Sequence, residues 1–94
     1  MLCTKILRTK PGARKHFYSR FTLRGVDKLI SLDELENCIE QYYTLGKFFE
    51  DKKHPRIEGP RYRISIPKRN KKIIVIVEKT KNCLLPITVW FENI

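Results

Sequence analysis

The apolar positions in the first half of the chain recur at helical spacing. Nothing in residues 13–23 breaks a helix, and Gly25 after them has the conformational freedom with which helices commonly end. A second helix is predicted at about residues 32–43, because Ser31 and Glu34 form a capping box and the apolar side chains that follow lie three or four residues apart. We therefore expect two helices, the second with a distinct N-terminal cap.

The second half of the chain changes to the period of β-strands. Polar and apolar side chains alternate in residues 61–66, and residues 72–78 are rich in β-branched side chains, which favours a central strand. Asn70 is expected to take a positive φ in the hairpin turn between them. Pro86 has no N–H to donate, so it should lie on an edge strand or at the start of a strand. The other predicted elements are strands at residues 2–8, 47–50 and 84–91, and turns at 9–12, 68–71 and 79–82.

Helices followed by a run of antiparallel strands are typical of an α+β domain. We predict one or two N-terminal helices packed on one face of a three- to four-stranded antiparallel sheet. The sequence has no internal repeat and no stretch typical of a linker, so residues 1–94 are expected to form a single domain.

The chain is strongly basic, with 20 Lys and Arg against 10 Asp and Glu and a formal net charge of +10. Residues 31–50 are the exception, with one basic and five acidic side chains, so the second helix should be acidic. A positive field of this size on a small protein favours a polyanionic partner, and nucleic acid is the commonest one. The alternative is a charge that serves solubility alone.

The short apolar runs and the wide spacing of the cysteines argue against a membrane span, a signal peptide and a metal site. The longest apolar run, residues 73–77, has five residues, whereas a bilayer span needs about 20, and Lys5 interrupts the opening stretch that a signal peptide would need. Cys3, Cys38 and Cys83 are widely spaced and form no metal-binding motif, so neither a metal nor another cofactor is expected. The simplest interpretation is three reduced thiols in a cytoplasmic protein, and a Cys3–Cys83 disulfide is the alternative. The sequence motifs of ATPases, dehydrogenases and α/β-hydrolases are absent.

The first predicted helix has a cationic stripe beside an aromatic one. His16, Arg20 and Arg24 are four residues apart and lie within a sector of about 80°. Phe17 and Phe21 follow next around the helix and should dock on the sheet. The cationic stripe can bind phosphates, because each arginine presents a bidentate fork of donors. The alternative is a solvated flank whose arginine stems cover apolar surface.

Several short motifs resemble one family of small bacterial and archaeal domains. Residues 16–26 read H-x3-R-x3-R-G-V, close to that family's H-x3-R-x3-R-G-[IV]-S, and a helix with a Ser-x-x-Glu start follows. Residues 59–63 (GPRYR) and 87–90 (ITVW) resemble its later strands, so the similarity covers about residues 15–91. The family is grouped with RelE-like toxins and the barnase–EndoU–colicin fold, metal-independent ribonucleases with helices ahead of a four-stranded antiparallel sheet. Residues 27–30 stand where the family passes directly to its serine, and we expect this insertion to shift the second helix.

The resemblance implies cleavage of RNA by attack of a ribose 2′-oxygen on the adjacent phosphate. Such a reaction needs a base near the 2′-hydroxyl, an acid near the leaving oxygen and cations around the phosphate. His16 would be the base, and Arg20 and Arg24 would clamp the phosphate. Thr88 matches the threonine of the family's last strand and would hydrogen-bond the scissile phosphate.

Further basic residues would guide the RNA backbone. Arg61 and Arg63 share one face of their strand and would extend the anion path, with Tyr62 on the opposite face in the core. Lys79 is a weaker candidate for the general acid. His54 could complete an acid–base pair with His16, although a histidine in a lysine-rich loop is more often a surface residue. The predicted RNA-binding residues are Arg61, Arg63, Lys79, Lys53, Arg56 and Lys71.

Three functions compete at this stage. The first is a toxin-type ribonuclease held inactive by an antitoxin protein, with RNA as the favoured nucleic acid and a homodimer left open. The second is a non-catalytic nucleic-acid-binding protein of a mobile element or virus. The third is an interaction protein that docks through its acidic helix, in which Glu36 and Glu40 would carry the contact. Trp90 and Phe91 alternate, so one should face the core and the other could stack a base, unless both are core or dimer surface.

Overall fold

A computed structural model describes residues 11–52, 59–80 and 83–94, and in residues 11–15 it describes the backbone alone. Within these ranges, two helices pack with a four-stranded antiparallel sheet, which confirms the predicted α+β class. The strand order is β1-β2-β3-β4, so each strand pairs with its neighbours along the chain. The elements are α1 (Pro11–Leu23), α2 (Leu32–Thr44), β1 (Phe49–Glu50), β2 (Arg61–Lys68), β3 (Lys71–Lys79) and β4 (Leu84–Asn93). The strand predicted at residues 2–8 lies outside the described residues.

Helix α1 begins earlier than predicted. Pro11 and Gly12 are its first two residues, so the prediction that they belong to a turn is wrong. Proline suits the first turn of a helix because its φ is already helical and an N–H is not needed there. At the other end, Gly25 has a φ of 73°, a left-handed conformation that glycine adopts without strain.

A short 3-10 turn, Val26–Lys28, contains the first two residues of the four-residue insertion between the helices, and Ile30 at the end of the insertion is buried. Val26 is fully buried, which anchors this connection to the core. Helix α2 then starts as predicted, with the Ser31 hydroxyl accepting a hydrogen bond from the Glu34 backbone N–H at 3.2 Å. The insertion therefore forms a packed connection between α1 and α2.

The main core lies between the helices and one face of the sheet. Phe17 and Phe21 of α1 are buried in it, which confirms the aromatic stripe, and Leu35 and Ile39 come from α2. Tyr62 packs against this cluster, as predicted. The sheet contributes Ile64, Ile66, Ile73, Val75, Val77, Leu84 and Val89.

Strand β4 contains an irregularity that changes which side chains face the core. Its register with β3 pairs Thr88 with Ile76 but Pro86 with Val77, so Ile87 is an extra, bulged residue. Regular alternation would place Leu84 and Val89 on opposite faces, yet both belong to the main core because of the bulge. Pro86 lies near the start of this edge strand, in agreement with the prediction. Beyond the bulge, Phe91 packs against the core, and Thr88 and Trp90 share the other face.

Two smaller expectations need correction. In the β2–β3 turn the residue with positive φ is Arg69, at 58°, rather than Asn70. Cys83 is disulfide-bonded, so the interpretation of three reduced thiols is wrong for this residue, whereas Cys38 has a free, half-buried thiol. Disulfides are typical of oxidising compartments and of intracellular proteins of hyperthermophiles. Cys3, named in the alternative pairing, lies outside the described residues.

None of the helices described within residues 11–52 has the length and apolar character that a membrane crossing needs.

Candidate nucleic-acid interface

An open cleft of about 680 Å³ lies where α1 meets β4 and the start of β2. Its described lining combines three arginines with a histidine, a threonine, a tryptophan and an isoleucine. We call it the arginine cleft, lined by His16, Arg20, Arg24, Arg61, Ile87, Thr88 and Trp90. Five of these, His16, Arg20, Arg24, Arg61 and Thr88, were candidates from the sequence, and the fold brings them together.

Helix α1 positions three of these side chains through its spacing alone. His16, Arg20 and Arg24 are one helical turn apart, so burial of Phe17 and Phe21 turns them together toward the cleft. His16 is exposed, whereas Arg20 is half-buried. The direction of the cationic stripe is thus a consequence of the helix orientation that buries Phe17 and Phe21.

Arg24 ties the helix to the edge strand. Its Nη1 donates to Thr88 Oγ1 at 3.3 Å and to the Val89 carbonyl oxygen at 3.1 Å. Its other guanidinium N–H groups make no hydrogen bond to another residue within the described ranges. Because the Thr88 oxygen accepts from Arg24, the Thr88 O–H can still donate to a second acceptor.

Arg20 is the cation of the cleft whose lack of a partner among the described residues is clearest. Its Nε is buried and has no hydrogen-bond partner among the described residues. Nor does any carboxylate within the described ranges form an ion pair with Arg20 or Arg24. A buried guanidinium donor without a partner is costly, and an anion in the cleft would supply the missing acceptor.

Arg61 differs from the other two arginines because its charge is already paired. Its Nε donates to Glu78 Oε1 at 2.8 Å, and the side chains are 7% and 1% exposed. The two residues are direct cross-strand partners in β2 and β3. Arg61 therefore forms part of the cleft wall, but it adds little net charge to it.

The cleft holds His16 in its neutral form near pH 7. Partial desolvation lowers the pKa of His16 below 6.5, and the positive charges of the three arginines lower it further, Arg20 most strongly. A neutral imidazole can accept a proton, as a general base must. Among the described lining residues, His16 is the single group that titrates near neutrality.

Trp90 lies in the arginine cleft as well, and polar neighbours hold it there. Its Nε1–H donates to Glu92 Oε2 at 3.0 Å. The same carboxylate lies 3.5 Å from Arg63 Nη2 and 3.5 Å from Lys72 Nζ. The hydrogen bond from Trp90, together with these two cations, lowers the pKa of Glu92 and keeps it ionised.

Other residues predicted to bind RNA lie outside the cleft lining. Arg63 pairs with Glu92, Lys79 Nζ donates to the Thr80 carbonyl oxygen at 2.9 Å, and Lys71 contacts Asn93 at the sheet edge. Lys53, Arg56 and His54 lie outside the described residues.

Two lining residues of the cleft, Trp90 and Ile87, and the ion pair of Arg61 were not predicted as parts of the site from the sequence. The sequence indicated Trp90 only as one of two possible stacking surfaces outside the predicted site, and Ile87 only as part of the 87–90 motif. The partner of Arg61, Glu78, was also missed, although a lone acid in an apolar strand is a signal of a buried ion pair.

The described residues contain no cluster of three or more His, Cys, Asp or Glu side chains that could hold a metal ion. No protein-family model, curated protein or solved structure matches the chain. Function is therefore inferred from the geometry of the arginine cleft and from the motifs in the sequence.

Proposed function

We propose that the protein is a metal-independent RNA endonuclease of the toxin type. The observation that carries the proposal is the convergence of His16, three arginines and Thr88 in one open cleft. This is the set that the resemblance to RelE-like ribonucleases implies. A neutral imidazole beside Arg20 and Arg24, which have no carboxylate partner among the described residues, suits a reaction in which a proton leaves and negative charge develops on a phosphate.

In the proposed reaction, the ribose 2′-oxygen attacks the adjacent phosphorus while the bond to the 5′-oxygen breaks. His16 accepts the proton of the 2′-hydroxyl, and the departing 5′-oxygen takes a proton from water. The products are a 2′,3′-cyclic phosphate and a 5′-hydroxyl. Arg20 and Arg24 stabilise the charge on the phosphorane, and the Thr88 O–H donates to one of its oxygens.

The proposal extends to location and regulation. A ribonuclease of this type would act in the cytoplasm, where messenger and transfer RNA are found. An antitoxin protein would inhibit it most directly by placing acidic side chains in the arginine cleft.

One observation favours a second candidate, a non-catalytic nucleic-acid-binding protein. The described cleft supplies one titrating group, whereas acid and base steps are often divided between two. In that case the cleft would bind the backbone through the same arginines, and His16 would be dispensable.

The test is cleavage of end-labelled RNA in EDTA by the wild-type protein and by His16→Ala. We expect cyclic-phosphate ends from the wild type and a loss of roughly 10²- to 10⁴-fold in His16→Ala, the usual contribution of general base catalysis. Arg20→Gln should also reduce cleavage, while Arg69→Gln removes the same charge from an exposed turn and serves as the matched control. Binding without cleavage would favour the second candidate, and cleavage unaffected by His16→Ala would contradict the assignment of the base.

A further inference from the structure

We propose that Trp90 is a base-stacking residue and that the arginine cleft therefore takes single-stranded rather than double-stranded nucleic acid. The inference deepens the proposed function and rests on it in one respect, the choice of nucleic acid as ligand. It does not require that the nucleic acid be cleaved.

Trp90 lies on the face of β4 that is turned away from the main core. Tryptophan usually contributes its large apolar surface to a core, but the main core of this protein lies on the opposite face of β4. On the face of Trp90, its cross-strand partner Ile74 is fully buried. The bulge at Ile87 places Trp90 on the same face as Thr88, and both line the arginine cleft. Trp90 is half-buried there, so part of the indole remains accessible from the cleft.

The indole is also held in a fixed orientation. Glu92 accepts its N–H at 3.0 Å, and Arg63 and Lys72 hold that carboxylate from two other strands. The Arg63 guanidinium carbon lies 5.6 Å from the centre of the indole ring, at cation–π distance. A ring oriented before the ligand arrives loses little conformational entropy on binding.

The distance between the phosphate-binding groups and the indole suits one nucleotide. Arg24 is fixed to Thr88, and Trp90 is two residues further along the same face, about 7 Å at the usual rise of a strand. A phosphate bound by Arg24 would therefore have its neighbouring base within reach of the indole. Base stacking on an aromatic side chain requires an unpaired base, because a duplex hides both faces of each base in its own stack.

The sequence offers a direct probe, since Trp90 is the sole tryptophan of the chain. Single-stranded 2′-O-methyl RNA 12-mers lack a free 2′-hydroxyl, so they can bind but not be cleaved. We expect this RNA to quench tryptophan fluorescence, and an abasic strand with the same phosphates to bind more weakly without comparable quenching. A duplex of the same sequence should behave like the abasic strand.

Substitutions of Trp90 test whether this residue is responsible for the preference for single-stranded RNA. Trp90→Leu should weaken binding of the single strand by roughly 5- to 150-fold, the range for loss of one stacked base, measured by anisotropy of a labelled strand. Trp90→Phe should retain most of the affinity because it keeps an aromatic face. Phe49→Leu is the matched control, since Phe49 is an aromatic residue with 77% exposure on β1, at the opposite edge of the sheet from β4.

The outcomes separate this inference from the proposed function. Equal affinity for the normal and abasic strands, with no effect of Trp90→Leu, would overturn the stacking role and leave phosphate binding by the arginines intact. Binding of none of the strands would overturn both. Quenching and loss of affinity in Trp90→Leu, in a protein that never cleaves RNA, would support the stacking role and refute the nuclease.

Discussion

Removing one partner of the ion pair between Arg61 and Glu78 should be strongly destabilising, although the pair adds little to the charge of the arginine cleft. Both side chains are at least nine-tenths buried, and their atoms are 2.8 Å apart. Glu78→Leu would leave the Arg61 guanidinium buried without its carboxylate, which typically costs about 3–5 kcal/mol. That is a large part of the roughly 5–15 kcal/mol that stabilises a small domain.

The double variant Arg61→Met/Glu78→Leu should recover most of this loss. It removes both charges together and fills their space with apolar side chains, a replacement that is often neutral or stabilising. At about 4–8 °C per kcal/mol, Glu78→Leu alone should lower Tm by roughly 12–40 °C, while the double variant should lie near the wild type. The net charge of the cleft is the same in the double variant and in the wild type, so affinity for single-stranded RNA should change by less than about threefold.

The assays are urea denaturation followed by circular dichroism, and RNA binding by anisotropy. Glu34→Gln is the matched control, because it breaks an ion pair with Lys68 whose side chains are 46% and 30% exposed. That change should cost less than about 1 kcal/mol. A loss of under 1 kcal/mol in Glu78→Leu would refute the energetic argument. A stable double variant that no longer binds RNA would show that Arg61 contacts the ligand directly.

Three further predictions concern titration, close packing and capping. In a nuclear magnetic resonance titration, the His16 imidazole should ionise below pH 6.5, and Arg20→Gln should raise its pKa toward that value. The unfolded chain binds this proton more readily than the folded protein does. The free energy of unfolding should therefore fall as pH falls from 6.5 through the folded-state pKa of His16. An upward shift in the free wild type would contradict the described surroundings. Gly59→Ala should cost roughly 1–3 kcal/mol, because its Cβ would lie 2.0 Å from the Lys79 carbonyl oxygen; an unchanged urea midpoint would refute that contact. Ser31→Ala should cost about 1 kcal/mol and Ser31→Asp much less, with equal losses in the two variants arguing against the cap.

Local patterns in the sequence were sufficient for most of the elements and for the three side chains that α1 contributes to the cleft. The capping box at Ser31 and the β-branched run of β3 each encode an element within a few residues. The stripe formed by His16, Arg20 and Arg24 was equally predictable, because a helix fixes the relative direction of side chains four residues apart. Proline at the start of α1 was misassigned because the same residue is favourable in turns and in first helical turns.

The remainder of the cleft depends on register, which a single sequence does not reveal. Arg61 loses its free charge only because β2 and β3 pair it with Glu78. Trp90 reaches the cleft because one bulged residue, Ile87, reverses the alternation of β4. Without that bulge, Leu84 and Trp90 would share a face, and the indole would be expected in the core.

The tie between Arg24 and Thr88 also has a consequence for the order of folding. It joins residues 64 positions apart, whereas the strands pair through short hairpins between neighbours in the sequence. Closing the long loop costs more entropy, so the hairpins should form early and α1 should dock on β4 late. Backbone amides of α1 should then exchange with solvent faster than those of β3, through openings that leave the sheet intact. The arginine cleft would come apart before the protein unfolds.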